Sequence, residues 1–147
     1  MTSQKRIYIA LPIQGQRLGN NAYQHLSKAV DELGFLVANP QVLEPPLEDA
    51  GARFNPRDVY QDNYRLLKSS DLLVAEISRP SLGVGYEIAS AEHFGLPILC
   101  VYQAKLRQSV SLMILGIPYR RFLTASYNTV DELKMCIESA VRELMVP

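Results

Sequence analysis

The sequence predicts a three-layer α/β protein, flavodoxin/Rossmann-like, with a five-stranded parallel sheet and helices on both faces. Three observations predict it. Short apolar runs at residues 6–10, 35–38, 72–77, 98–102 and 121–124 have strand length and little polar alternation, the pattern of strands buried on both faces. Helix-period segments separate them, and such alternation closes as right-handed crossovers over a parallel sheet. With 147 residues, 48% of them hydrophobic and 20% charged, the chain is sized to bury one core as a single domain.

The first strand, residues 6–10, leads into a loop at 11–21 that carries Gly15 and Gly19. Asn20 or Asn21 can cap the next helix, since a short side-chain oxygen there accepts from unpaired first-turn amides. Ala22, Leu26, Ala29, Val30 and Leu33 keep the helical period, and Gly34 closes the helix. A second strand is expected at 35–38. Residues 39–55, with Pro40, Pro45, Pro46 and Gly51, read as a long irregular connection of the kind that forms lids and binding loops.

Asn55 and Pro56 start the next helix, because proline at the first helical position forgoes an N–H that lacks a partner anyway. Val59, Tyr60, Leu66 and Leu67 form its apolar stripe, with Asn63 in the middle and Asp62 about 100° further round, toward solvent. Asn63 has two readings: a core amide bonded to backbone, or an amide reaching a site at the sheet edge.

The third strand, residues 72–77, is followed by a turn at Arg79-Pro80-Ser81 and a helix that starts among Gly83 and Gly85 and runs to His93 or Phe94. Gly95-Leu96-Pro97 ends it, and the fourth strand occupies 98–102. Ser109 is expected to cap a short helix over 110–115 that Gly116 and Pro118 terminate. Val110, Leu112, Met113, Ile114 and Leu115 surround that helix with apolar side chains, which marks it as buried, with a second subunit as one candidate cover. A fifth strand at 121–124 precedes Thr129-Val130-Asp131-Glu132, a capping box, and a last helix whose core face is Val130, Leu133, Ile137, Ala140, Val141 and Leu144. The expected strand order puts the switch point between strands one and three, so the loop after Ala10 and the glycine turn share one crevice.

Charge narrows the partners. The formal net charge is zero, the sequence pI is about 6.7, and Lys and Arg form no run, so nothing draws the surface toward nucleic acid or an anionic membrane. The apolar stretch after Lys5-Arg6 is too short for a leader and lacks a small-residue cleavage site. Cys100 and Cys136 read as reduced core thiols of a cytoplasmic protein. His25 and His93 are far apart, so no metal is expected, and nothing calls for a cofactor.

The chemistry concentrates in the glycine turn. A glycine-lined helix start beyond a central strand offers free N–H groups and the positive end of a helix dipole, a receptor for a sugar phosphate. Glu87, four residues after Gly83, lies on the same helical face one turn further in. Taken alone, Glu87 is either a reactive carboxylate or a helix carboxylate favoured by the dipole. Glu76, Glu92 and Asp71 read as structural or exposed.

The run Pro80-Ser81-Leu82-Gly83-Val84-Gly85-Tyr86-Glu87, preceded by Ser70-Asp71-Leu72-Leu73-Val74-Ala75-Glu76 and by Ile7-Tyr8-Ile9-Ala10, resembles the nucleoside 2-deoxyribosyltransferase family, and within it the 2′-deoxynucleoside 5′-phosphate N-hydrolase branch. The resemblance covers residues 6–116. It implies that Glu87 is the nucleophile on C1′ of a deoxyribose, that Tyr8 contacts the substrate near it, that Ser81 and Gly83 hold a 5′-phosphate, and that Gly85 belongs to the same substrate-binding turn. It also implies a homodimer in which Ser111 reaches the neighbouring subunit's phosphate. Where the family often has an aspartate that orients the nucleophile, this chain has Asn63, which can donate but cannot take a proton. Where the hydrolase branch tends to Ser-Ile-Arg, this chain has Pro12-Ile13-Gln14, so the substrate contacts of that loop fall to Ile13 and Gln14. Three functions follow: hydrolysis of a deoxynucleoside monophosphate, transfer of deoxyribose between bases, or nucleotide binding without turnover.

Overall fold

The computed structural model describes residues 4–12, 22–43 and 55–145. Its sheet has the order β2-β1-β3-β4-β5, every neighbouring pair parallel. The strands are β1 (Arg6–Ala10), β2 (Leu36–Val37), β3 (Leu72–Glu76), β4 (Ile98–Gln103) and β5 (Phe122–Tyr127). The helices are α1 (Ala22–Leu33), α2 (Pro56–Lys68), α3 (Leu82–His93), α4 (Leu112–Leu115) and α5 (Val130–Leu144). The expected flavodoxin-like order is therefore the one observed.

Two cores flank the sheet because successive strand residues point to opposite faces. Ile7, Ile9, Leu72, Val74, Leu99 and Val101 pack under α1 and α5. Tyr8, Ala10, Leu73, Ala75, Ile98 and Cys100 pack under α2 and α3, against Leu67, Val84, Ile88 and Ala91. Burial on both sides is what made β1, β3 and β4 read as unbroken apolar runs. Both Cys100 and Cys136 are free thiols.

Several boundaries differ from the sequence reading, each for a local reason. β2 is shorter than residues 35–38. The buried Asn39 continues its pairing with a side chain, accepting from the Ile9 N–H at 2.9 Å and donating to the Ile9 carbonyl at 2.7 Å. β5 reaches Tyr127 because it lies at the sheet edge, where Thr124 and Ser126 can face outward. The short helix begins at Leu112 and not 110: Ser111 is the cap, its Oγ accepting from the Ile114 N–H at 3.3 Å, while 104–109 form a 3₁₀ turn. Leu112 and Met113 are 76% and 85% exposed, so within one chain that helix is not buried. Val59 and Tyr60 are likewise exposed, and the packed part of the α2 stripe is Leu66 and Leu67.

Candidate active site

Pro56 opens α2 beneath an Asn55 cap whose Oδ1 accepts from the Arg57 N–H at 2.9 Å. Counting from there, Asn63 falls on the side of Leu67, which is buried, and of Tyr60 one turn back. Asp62 turns outward and pairs loosely with Arg65 at 3.9 Å. Opposite stands α3. Ser81 caps it, Oγ accepting from the Val84 N–H at 3.3 Å, and among the described residues no acceptor occupies the N–H groups of Leu82 and Gly83. A Cβ placed on Gly83 or Gly85 would meet nothing closer than 4.0 Å. Neither glycine is therefore demanded by packing or by a left-handed backbone, although each weakens a helix by about 1 kcal/mol relative to alanine.

Between α2 and α3 lies a cleft of about 180 Å3 walled by Tyr60, Asn63, Tyr64, Leu67, Gly83, Tyr86, Glu87 and Ser90. Glu87 enters it from α3, and its Oε2 accepts the hydroxyl of Tyr8, which comes up from β1 beneath and is 1% exposed. Burial pushes the Glu87 carboxyl up to about 7, and the Tyr8 hydrogen bond, which favours the ionised form, offsets only part of that. The Tyr8 hydroxyl is itself pushed far above its ordinary range by burial, by the Glu87 charge and by the shared hydrogen bond, so it remains a donor. Near neutral pH, then, the cleft holds a poorly solvated carboxyl group balanced between its acid and carboxylate forms, beside a fixed donor. That is a nucleophile's setting.

A scan of family models matches residues 7–143 to the nucleoside 2-deoxyribosyltransferase family. The chain belongs to that family. Among its relatives, a Thermofilum pendens protein whose name provisionally assigns it as a 2′-deoxynucleoside 5′-phosphate N-hydrolase is 38% identical over 127 residues, 86% of this chain and 88% of the relative. The 5-hydroxymethyl-dUMP N-hydrolase of Rattus norvegicus is 31% identical over 112 residues, 75% of this chain and 68% of the rat protein. The solved structure of the CMP N-glycosidase of Clostridium botulinum shares the fold, with a TM-score of 0.64, 21% identity, and 92% and 98% of the two chains covered. As a member of the nucleoside 2-deoxyribosyltransferase family, the chain is an enzyme of small nucleosides or nucleotides.

Of the site residues expected in this deoxyribosyltransferase-like chain, Glu87, Tyr8, Asn63 and Gly83 come together. Ser81 and Gly85 flank them at the start of α3. Ser111 is exposed at the cap of α4 and does not line this chain's cleft. Ile13 and Gln14 lie outside the described residues. The sequence reading missed the aromatic wall, where Tyr60 packs on Tyr64 at 5.5 Å and on Tyr86 at 6.0 Å, and Tyr64 packs edge-on against Phe94 at 4.9 Å. Its signal was present: Tyr60 and Tyr64 are one turn apart, flanking Asn63. Among the described residues, no group of three or more His, Cys, Asp and Glu side chains could hold a metal, and no helix is long and apolar enough to cross a membrane.

Proposed function

We propose that the protein hydrolyses the N-glycosidic bond of 2′-deoxynucleoside 5′-monophosphates, releasing the base and 2-deoxyribose 5-phosphate through a glycosyl bond to Glu87. The observation that carries this reading is the desolvated Glu87 carboxylate, bonded to Tyr8 and facing a cleft one turn inside an open helix start. In the first step a Glu87 oxygen bonds to C1′ as the C1′–N bond breaks; the base leaves with the bonding pair and takes a proton from solvent. In the second, water bonds to C1′ and gives up a proton, and Glu87 departs as a carboxylate. Tyr8 stays protonated and steadies Glu87 between the steps. Asn63 orients the sugar or the carboxylate by N–H donation, since an amide carries no exchangeable charge.

The unoccupied amides of Leu82 and Gly83, with the Ser81 hydroxyl, support a 5′-phosphate site. Ile13 and Gln14 add substrate contacts from the first loop. A homodimer completes the phosphate site with Ser111 of the partner, and the exposed Leu112 and Met113 beside it support a contact there. The 147 residues act as one domain, and the two free thiols fit a reducing, cytoplasmic setting. The N-hydrolase names of the relatives support hydrolysis over transfer.

A chromatographic screen of nucleosides and their monophosphates tests the reading. Free base and deoxyribose 5-phosphate from a deoxynucleoside monophosphate are expected, and Glu87→Ala abolishes the release while the fold survives. Unchanged turnover in that variant rules the mechanism out. The family's own description favours a second reading, base exchange. Incubation with dGMP and a free acceptor base distinguishes it, because only a transferase makes a new nucleoside.

A further inference from the structure

The turn that delivers α3 is held from the face of the sheet that the cleft does not use. Glu76 ends β3 fully buried, and strand alternation sends its side chain to the α1 and α5 side with Leu72 and Val74, whereas Tyr8 and Glu87 meet on the other side. Its Oε1 accepts from the Ser78 N–H at 2.6 Å and its Oε2 from the Tyr127 hydroxyl at 2.5 Å. Ser78 Oγ in turn accepts from the Gln103 N–H at 2.8 Å. The carboxyl ends of β3, β4 and β5 are thus fastened at one point, a few residues before Ser81 caps α3.

Stability alone is a poor reason for this carboxylate. Among the described residues no Lys or Arg pairs with it, and burial raises its pKa, so ionising it is costly. What two acceptor oxygens on one rigid plane add is direction: one fixes the Ser78 backbone and the other anchors it to β5. The two donors meet different oxygens, so a glutamine would turn its amide NH2, itself a donor, toward one of them and lose that bond.

We infer that Glu76 is a positioning residue, setting from behind the sheet where Ser81 and the first amides of α3 meet the 5′-phosphate. The inference rests on the proposed function. It is tested with Glu76→Gln and Tyr127→Phe, both near-isosteric, by steady-state kinetics on a 2′-deoxynucleoside 5′-monophosphate and on the matching nucleoside, with thermal unfolding alongside. In both variants KM for the monophosphate is expected to rise roughly tenfold or more while the constants for the nucleoside stay close to the parent's. The double variant is expected to be no worse than either single one, since both cut the same connection. Equal losses on the two substrates, or lost stability with unchanged KM, overturn the inference. A parent that releases no base sinks the proposed function instead. The same comparison is then read by calorimetry as affinity for 2-deoxyribose 5-phosphate against 2-deoxyribose, with a selective loss for the phosphate expected and an equal loss overturning the inference.

Discussion

At the scale of single residues, Glu87 shows the conflict between folding and reactivity. A carboxylate kept from water is destabilising when charged, and the folded chain therefore holds its proton to about pH 7, well above the ordinary value of 4.5. Because the folded state binds this proton more tightly than the unfolded chain, stability falls as pH rises from 4.5 through about 7. Glu87→Gln is expected to cost about 1000-fold or more in turnover. Thermal scans should show it gaining roughly 2–4 °C over the parent at pH 8, and less at pH 5. In the proposed mechanism only the ionised form attacks, so the rate is expected to have the opposite pH dependence, with kcat/KM rising through about pH 7. Tyr8→Phe removes the donor that favours ionisation, and so moves that inflection to higher pH in a pH–rate comparison with the parent.

At the scale of elements, α3 is the piece whose sequence disagrees with its local needs. Gly83 has room for a methyl group, so Gly83→Ala should stabilise the fold by up to about 1 kcal/mol in denaturant titration. If the phosphate sits on these amides, the same change should raise KM for a phosphorylated substrate, and gained stability with unchanged KM would count against that seat. β1, β3 and β4 were legible because burial on two faces writes itself as continuous apolar sequence, and α1 and α5 because their single buried faces keep the helical period. In α2 the same rule misled. Val59 and Tyr60 are apolar enough to pass for core, but both are exposed and Tyr60 lines the cleft, so hydrophobicity there reports the site and not the sheet. Glu76 read as structural or exposed, and it is structural; its partners, Ser78, Tyr127 and through Ser78 Gln103, were not legible because they come together only once three strands are aligned.

At the scale of the whole molecule, Leu112 and Met113 leave a single chain with apolar surface beside Ser111, which caps α4 away from its own cleft. Two copies closing over that surface would bury it. Met113→Glu is expected to shift light scattering from dimer to monomer, and the monomer to lose its preference for monophosphates over nucleosides. A variant that stays dimeric, or a monomer that keeps the preference, separates α4 from the phosphate.

The pairing of Tyr8 with Glu87 joins positions 79 apart in the chain. It forms only after β1 and β3 lie side by side and α3 has folded back over them. A chain in which β1 and β3 are not yet paired, or have come apart, lacks that contact, so base release by the proposed route is expected from the folded protein alone.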